Sequence, residues 1–336
     1  TWSDRLHDVL VEQLGEETGN RLYRQYGNAF PVAYQQRFSA ATGVFDVEKI
    51  EEVRNSGQLA MNLYHPIEAE ENELRFKVYN PDGLLTLSDV LPVLENMGLK
   101  VMSEIPFEVT LDASAGDGGD LRIHDFALVI SDGSSVDFEE IRDEFHESFA
   151  QVWRDQMEDD GFNRLVLGAG LNWREVVILR SYCKYLRQAR IPFSQDYMEE
   201  TLAKNRTLAG LLVKLFEIRF DPGYSGKRQV DEIKTVERIE EALEAVSNLD
   251  EDRIIRHYLN LIQSTLRTNF YQPAEDGSPK PYVTFKLDSG NIDELPLPRP
   301  LREIFVYSPR FEGVHLRFGF VARGGLRWSD RREDFR

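Results

Sequence analysis

The spacing of apolar residues changes along this chain, and each change marks an element. Leu6, Val9, Leu10 and Leu14 share one helical face. Ser3 is placed to cap that helix and Gly15 to end it. Leu22, Tyr23 and Tyr26 continue the pattern up to Gly27. Pro31 suits the first turn of a further helix. Glu48 to Arg54 reads as another, stopped by Asn55-Ser56-Gly57. The aromatics Tyr23, Tyr26, Phe30, Tyr34 and Phe38 read as core. Residues 1–57 are therefore a helical lead-in.

From Gln58 the period falls to two. Leu59, Met61 and Leu63 alternate with Ala60 and Asn62; Leu74, Phe76 and Val78 alternate with Arg75, Lys77 and Tyr79. Pro81-Asp82-Gly83 marks a turn, and Thr86 with Asp89 has capping spacing for an amphipathic helix that Gly98 ends. A long strand follows through Val101 and Leu111. Pro106 has no N–H to give a neighbour, so this strand is expected at an edge or bulged. Residues 112–120 read as a solvated loop, because the carboxylates lack the spacing of a calcium loop. Leu121 and Ile123 open a further strand. The apolar phase then shifts to Phe126, Leu128 and Ile130, which predicts a bulge near His124-Asp125. That pair could pass a proton, but adjacent strand residues face opposite ways, so a structural role is favoured. Asp137 and Glu140 have capping-box spacing for a helix to about Glu158.

Residues 159–270 read as helical. Leu165-Val166-Leu167-Gly168-Ala169-Gly170 suggests a dinucleotide loop, but Trp173 stands where the third glycine would be needed. Asn172 and Glu175 instead have capping spacing for a helix to about Arg190, so a helix-to-helix connection is expected. Ser194 starts the next helix, which continues through Leu211, Leu212, Leu215 and Phe216, and two more run from Val230 to Val246 and from Asp250 to about Thr268. In the last, Ile254, Ile255, Tyr258, Leu259, Ile262 and Leu266 form a stripe, and His257 is expected to be exposed. Residues 271–336 pass through a linker and a strand at Tyr282 to Leu287 into two closing strands. Val314, Leu316, Phe318 and Phe320 lie on one face of the second.

Composition narrows the function. The net charge of −18 disfavours nucleic acid and anionic membranes as partners. No apolar run is long enough to span a bilayer. Cys183 is the single cysteine and reads as a buried, inert thiol, in keeping with a reducing cytoplasm. No metal motif is present.

Candidate chemistry gathers at the end of the chain. Arg323, Gly324, Gly325 and Arg327 combine a tight glycine turn with guanidinium groups suited to paired hydrogen bonds with a carboxylate or phosphate. The stretch VYSPRFEGVHLRFGFVARGGLRWSDRREDF resembles the start of the catalytic domain of the large bacterial NAD-dependent glutamate dehydrogenases. Shorter glutamate dehydrogenases carry a substrate-binding lysine ahead of this glycine pair. Here Arg323 stands in its place, which is a departure from the pattern. The order βαββα from Leu74 resembles an ACT domain, and N-P-D-G-L-L resembles its first, effector-binding loop.

The resemblance implies an α+β fold: an ACT-like module over 58–158, flanked by helical segments at 1–57 and 159–270, with a truncated catalytic domain from 271. It implies Arg323, Gly324, Gly325 and Arg327 as substrate contacts and Asp82 and Gly83 as contacts to an amino-acid effector. It implies NAD as cofactor, glutamate and 2-oxoglutarate as reactants, and a homo-oligomer. The chain starts at Thr1 and stops at Arg336, so it is expected to be an internal segment, regulatory and architectural, with no catalytic residue of its own. The second reading is an ACT-type amino-acid-sensing or assembly module of another metabolic enzyme.

Overall fold

The first helix is capped by Thr1 rather than Ser3. The Thr1 hydroxyl accepts from the Asp4 N–H at 3.2 Å, and the Asp4 side chain closes the box. Ser3 instead donates to the Gly27 carbonyl at 2.7 Å, tying α1 (Trp2–Leu14) to the end of α2 (Glu16–Tyr26). The two helices pack closely because residue 19 is glycine. A Cβ there would lie 2.7 Å from the Val11 Cα. Two further helices follow, α3 (Val32–Arg37) and α4 (Ala40–Ser56). This computed structural model describes residues 1–66, 70–80, 85–111, 120–320 and 327–328. They fall into two compact units, Thr1–His146 and Glu147–Arg336. Among them no helix is long and apolar enough to cross a membrane.

The first unit continues with β1 (Ala60–Tyr64), β2 (Glu73–Asn80), α5 (Leu87–Asn96), β3 (Leu99–Thr110), β4 (Asp120–Ile130) and the part of α6 (Phe138–Trp153) up to His146. The four strands form an antiparallel sheet in the order β1-β2-β4-β3. β4 lies between β2 and β3, which α5 connects, so β2-α5-β3-β4-α6 is the expected βαββα arrangement. β1 adds a strand beside β2. β3, with Pro106, is an edge strand as expected.

Both faces of this sheet are covered. Phe76 meets Phe145 of α6 edge to face, with ring centroids 5.3 Å apart. On the other face Tyr79, Phe107, Val109, Leu121 and Ile123 share a core with the residues of α1, α2 and α4. This corrects the bulge expected near His124-Asp125. β4 pairs with β2 in unbroken register from Arg122 to Val129. The apolar phase shifts because each face has its own partners. The irregularity lies in β3, between Val101 and Ser103.

Charged groups sit inside the helix-facing layer. Asp46 of α4 and Lys77 of β2 are 0 % and 1 % exposed. Lys77 Nζ donates to Asp46 Oδ2 at 2.5 Å, and the Tyr79 hydroxyl donates to Oδ1 at 2.5 Å. The Tyr34 hydroxyl also donates to Asp46. Lys77 lies over the Phe38 ring, 3.8 Å from its centroid. Burial, and then the Asp46 charge, push the Tyr34 and Tyr79 hydroxyls well above their ordinary range. Nearby, Arg75 donates to the buried Asp125, and Arg37 lies 3.7 Å from the same oxygen.

The second unit holds α7 (Arg164–Ala169), α8 (Trp173–Gln188), α9 (Gln195–Lys204), α10 (Arg206–Phe220), α11 (Arg228–Leu243) and α12 (Leu249–Ser264). Its antiparallel sheet runs β5 (Thr265–Thr268), β6 (Val283–Leu287), β7 (Arg302–Ser308), β8 (Phe311–Arg317) and β9 (Arg327–Trp328), in that order. The stretch Leu165–Gly170 is no dinucleotide loop: Gly168 lies within the short helix α7, and only Gly170 begins the connection to α8 that the capping pattern predicts. α7 ends at Gly170, whose φ of 65° is left-handed, and Asn172 and Glu175 form the reciprocal cap of α8. Tyr182 of α8 stacks on Phe285 of β6 at 4.3 Å. Cys183 is buried, and burial pushes its thiol pKa up.

Three expectations fail here. The helix expected from Ser194 through Phe216 is two, α9 and α10, because Asn205 between them leaves the helical conformation. The last helix ends at Ser264, and Thr265–Thr268 pairs with β6 as a strand. Leu266 is therefore not on the helical stripe and is 44 % exposed. His257 is buried, 3.6 Å from Glu294, because α12 is covered on more than its stripe.

His146 generates a pH dependence. Its Nε2 accepts the N–H of Leu63 in the edge strand β1 at 2.8 Å. Burial lowers its pKa from 6.5 to about 4. The folded state thus keeps the ring neutral where the unfolded chain takes up a proton. The stabilisation is full above the unfolded pKa and is lost as pH falls toward the folded one. Between about pH 7 and pH 5 the first unit should lose about 2 kcal/mol from this group. His146→Gln keeps an acceptor for Leu63 and should remove that part of the pH slope. Urea unfolding followed by amide exchange in β1 and β2 measures it; equal slopes in both proteins would contradict the assignment.

Candidate functional site

Two loops carry the residues singled out by the sequence. Asp82 and Gly83 lie outside the described residues, but the ends of their loop are fixed. On one side β2 closes with Asn80 paired to Arg122 of β4. On the other, Leu85 is 3 % exposed and its N–H donates to His124 Nε2 at 3.3 Å. His124 Nδ1 lies 2.8 Å from Glu104 of β3. Since Nε2 accepts and a carboxylate can only accept, the ring proton sits on Nδ1. His124 thus holds the end of the loop to the centre of the sheet. Asp125 faces the opposite way, to Arg75. The two are not a proton-transfer pair, and the structural role favoured by strand alternation is correct.

Thr86 occupies the N-cap of α5, but its side chain makes no capping bond, contrary to expectation. Its carbonyl accepts from the Asp89 N–H at 2.9 Å. The loop therefore runs into a helix start whose positive dipole end is not satisfied by its own cap. Sequence reading missed His124 and Glu104 as supports of this loop. Glu104, His124 and Leu85 are far apart in the chain, and only the strand register brings them together.

The second loop begins from a hairpin. β7 and β8 pair from Arg302–Arg317 to Ser308–Phe311. Ser308 Oγ accepts the N–H groups of Arg310 and Phe311, both at 3.2 Å, which fixes the turn at Pro309. β9 pairs back on β8, Arg327 beside Val314 and Trp328 beside Gly313. Arg323, Gly324 and Gly325 fall in the connection between β8 and β9, outside the described residues, and Arg327 is described by its backbone alone. The apolar face read from alternation is exposed: Leu316 by 37 %, Phe318 by 57 % and Phe320 by 88 %. The buried face of β7 carries Glu303, which accepts from the Tyr185 hydroxyl of α8.

Among the described residues no group of three or more His, Cys, Asp or Glu is placed to hold a metal ion. What the structure shows of the two candidate loops is their anchoring: Leu85 on His124 for one, and the β7–β8 hairpin for the other.

Comparison with known proteins agrees with this order of parts. Four family models match along the chain. They are the glutamate dehydrogenase helical motif 2 at residues 9–53, the glutamate dehydrogenase ACT3 domain at 58–141, the glutamate dehydrogenase helical motif 3 at 157–222, and the bacterial NAD-glutamate dehydrogenase catalytic domain at 238–336. The NAD-specific glutamate dehydrogenase of Halomonas elongata is 45% identical over 336 residues, all of this chain and 20% of that protein. Those of Pseudomonas aeruginosa and Mycobacterium tuberculosis are 43% and 39% identical, again across the whole chain and 21% of each relative. The chain spans about a fifth of the length of these curated relatives. With the helical lead-in, the ACT-like sheet, the helical segment and the closing strands all matched in order, the chain belongs to the bacterial NAD-glutamate dehydrogenase family, as a segment of its large members.

Proposed function

We propose that this chain is the regulatory and architectural part of an enzyme that converts L-glutamate, NAD and water to 2-oxoglutarate, ammonium and NADH. The observation that carries the reading is the unbroken order of four glutamate dehydrogenase family models along the chain. It favours this enzyme over another ACT-containing one. In this reading Arg323 and Arg327 neutralise substrate carboxylates, and Gly324 and Gly325 let the substrate approach the main chain. The described residues do not fit NAD. The one glycine-rich stretch that suggests a dinucleotide loop is helix α7 and its cap, with Trp173 at the start of α8. No step involving the cofactor is assigned to them. The enzyme is read as a cytoplasmic homo-oligomer.

The proposal predicts that this chain alone forms no NADH from glutamate, whereas the whole enzyme does. In the whole enzyme Arg323→Ala should lower kcat/KM for glutamate on the order of 100-fold, the effect of losing a charged hydrogen-bonding partner. The apparent KM for NAD should change little. Steady-state kinetics decides: unchanged use of glutamate would remove Arg323 from the substrate site.

The loop at Asp82-Gly83 is read as an effector site for an amino acid, supported by the adjacent start of α5 and the His124 anchor. A proteinogenic amino acid at millimolar concentration should then raise the melting temperature, increasingly with concentration. Gly83→Val should abolish the ligand-induced shift by blocking approach to the backbone. Because that substitution can also strain the turn, the shift within each protein is the quantity to compare. Silence from every amino acid in thermal-shift and calorimetric titrations would leave the module a purely architectural role.

A further inference from the structure

A cavity of about 250 Å³ in the second unit has cationic walls, although the chain as a whole carries a charge of −18. Arg154, Arg174, Lys280, Trp173, Tyr307 and Ser308 are among the residues that line it, and no Asp or Glu among the described residues does. Arg174 is the informative member. Its guanidinium donates to the carbonyls of Lys280 at 3.3 Å and Phe270 at 3.1 Å and stacks on the Phe270 ring at 4.5 Å. These contacts fix its plane but, among the described residues, leave its charge without a carboxylate partner. Burial lowers its pKa to about 10, and among the described residues Tyr271 opposes that shift. A largely buried cation without a counter-charge is costly, and proteins seldom keep one that has no use.

The neighbours of Arg174 point the same way. Lys280 Nζ bonds to the neutral Gln272 at 3.2 Å and is in no ion pair among the described residues. The buried Tyr307 also lines the cavity, and its hydroxyl has no hydrogen-bond partner among the described residues, although the charges acting on it are those of Arg180, Glu158, Asp160 and Glu312. Trp173 and Arg174 are the first two residues of α8, so the positive end of that helix dipole adds to the field. The volume is below that of pockets for drug-sized ligands. It suits a small anion and is too small for a dinucleotide.

We propose that this cavity binds a small dianion, a dicarboxylate or a phosphate group, gripped by Arg174 and Lys280. The ligand would join two parts of the chain. Trp173 and Arg174 lie in the stretch matched by helical motif 3, and Lys280 and Tyr307 in that matched by the catalytic domain. Tyr307 and Ser308 end β7, which the hairpin connects to the strand return that carries Arg323. The site is thus placed to report ligand occupancy to the first strands of the catalytic domain.

The test is titration of the chain with inorganic phosphate and with succinate, at constant ionic strength, read by calorimetry and melting temperature. Sodium chloride and the neutral diamide succinamide serve as controls. Saturable binding of either dianion, with none for the controls, is expected. Binding of phosphate alone, or of succinate alone, would identify the ligand class. Lys280→Gln, at a side chain whose hydrogen bond among the described residues is to Gln272, should fold normally and weaken binding at least fivefold. Arg174→Gln should weaken it at least tenfold. Arg174→Lys, which keeps charge but loses the planar fork, should bind at an intermediate level. No saturable binding by either anion, a response equal to that of sodium chloride, or affinity unchanged in Lys280→Gln and Arg174→Gln would each overturn the proposal.

Discussion

The first unit depends on one buried ion pair. Lys77 projects from the middle of β2 and Asp46 from α4, and their contact lies inside the layer between helices and sheet. An isolated charge at either position would cost several kcal/mol, so neither element can keep its place without the other. Two tyrosine hydroxyls complete the set: with Lys77, Tyr34 of α3 and Tyr79 of β2 give Asp46 three donors. The ring of Phe38 covers the ammonium group. The apolar core around them supplies attraction without direction. The ion pair supplies direction, because a helix displaced or rotated on the sheet would break it. This is why the helical lead-in and the ACT-like sheet behave as one body. β2 ends at Asn80, so the same ion pair fixes the strand that precedes Asp82-Gly83 in the chain.

A comparable logic holds the second unit. α8 lies against the sheet and is fixed at several points by polar contacts in its buried face. Arg180, fully buried, makes paired bonds to Asp160 at 2.8 and 2.7 Å and reaches Asn163 at 2.6 Å. Tyr185 donates to Glu303 of β7, and Tyr182 stacks on Phe285 of β6. Helix and strands are therefore registered by directed contacts. That fixes the position from which the β7–β8 hairpin presents the following loop. The same helix places Arg174 at its start, so one element serves both the frame and the cationic cavity.

Much of this was legible from the sequence, for physical reasons that differ by element. The helices at Asn172 and Ser194 were visible because their caps are local chemistry, and both caps are formed. The βαββα order was visible because strand alternation and turn residues are local too. What failed depended on the other face of an element. His124-Asp125 suggested a bulge only because a sheet covered on one side was assumed. Lys77 was read as the polar face of a strand, and nothing near it in sequence shows that Asp46, 31 residues away, would meet it. His257 was read as exposed by the same one-sided logic. Thr265–Thr268 was absorbed into a helix because its strand partner, β6, lies beyond a long linker. The cationic cavity was invisible for a similar reason, since Arg174, Lys280 and Tyr307 come from separate elements. The family was legible through the closing stretch, where motif density is high, although Arg323 to Gly325 fall outside the described residues.

The central claim is that the helical lead-in and the ACT-like sheet are one cooperative body joined through Asp46 and Lys77. A double-mutant cycle with Asp46→Asn and Lys77→Met tests it most directly, with urea unfolding followed by amide exchange in α4 and β2. Each single substitution should destabilise both elements together by about 3–5 kcal/mol, because each strands the other group in the core. The double substitution should cost clearly less than the sum, with a coupling of about 2 kcal/mol. Effects that add to within about 0.5 kcal/mol, or α4 and β2 losing protection at different urea concentrations, would contradict the account.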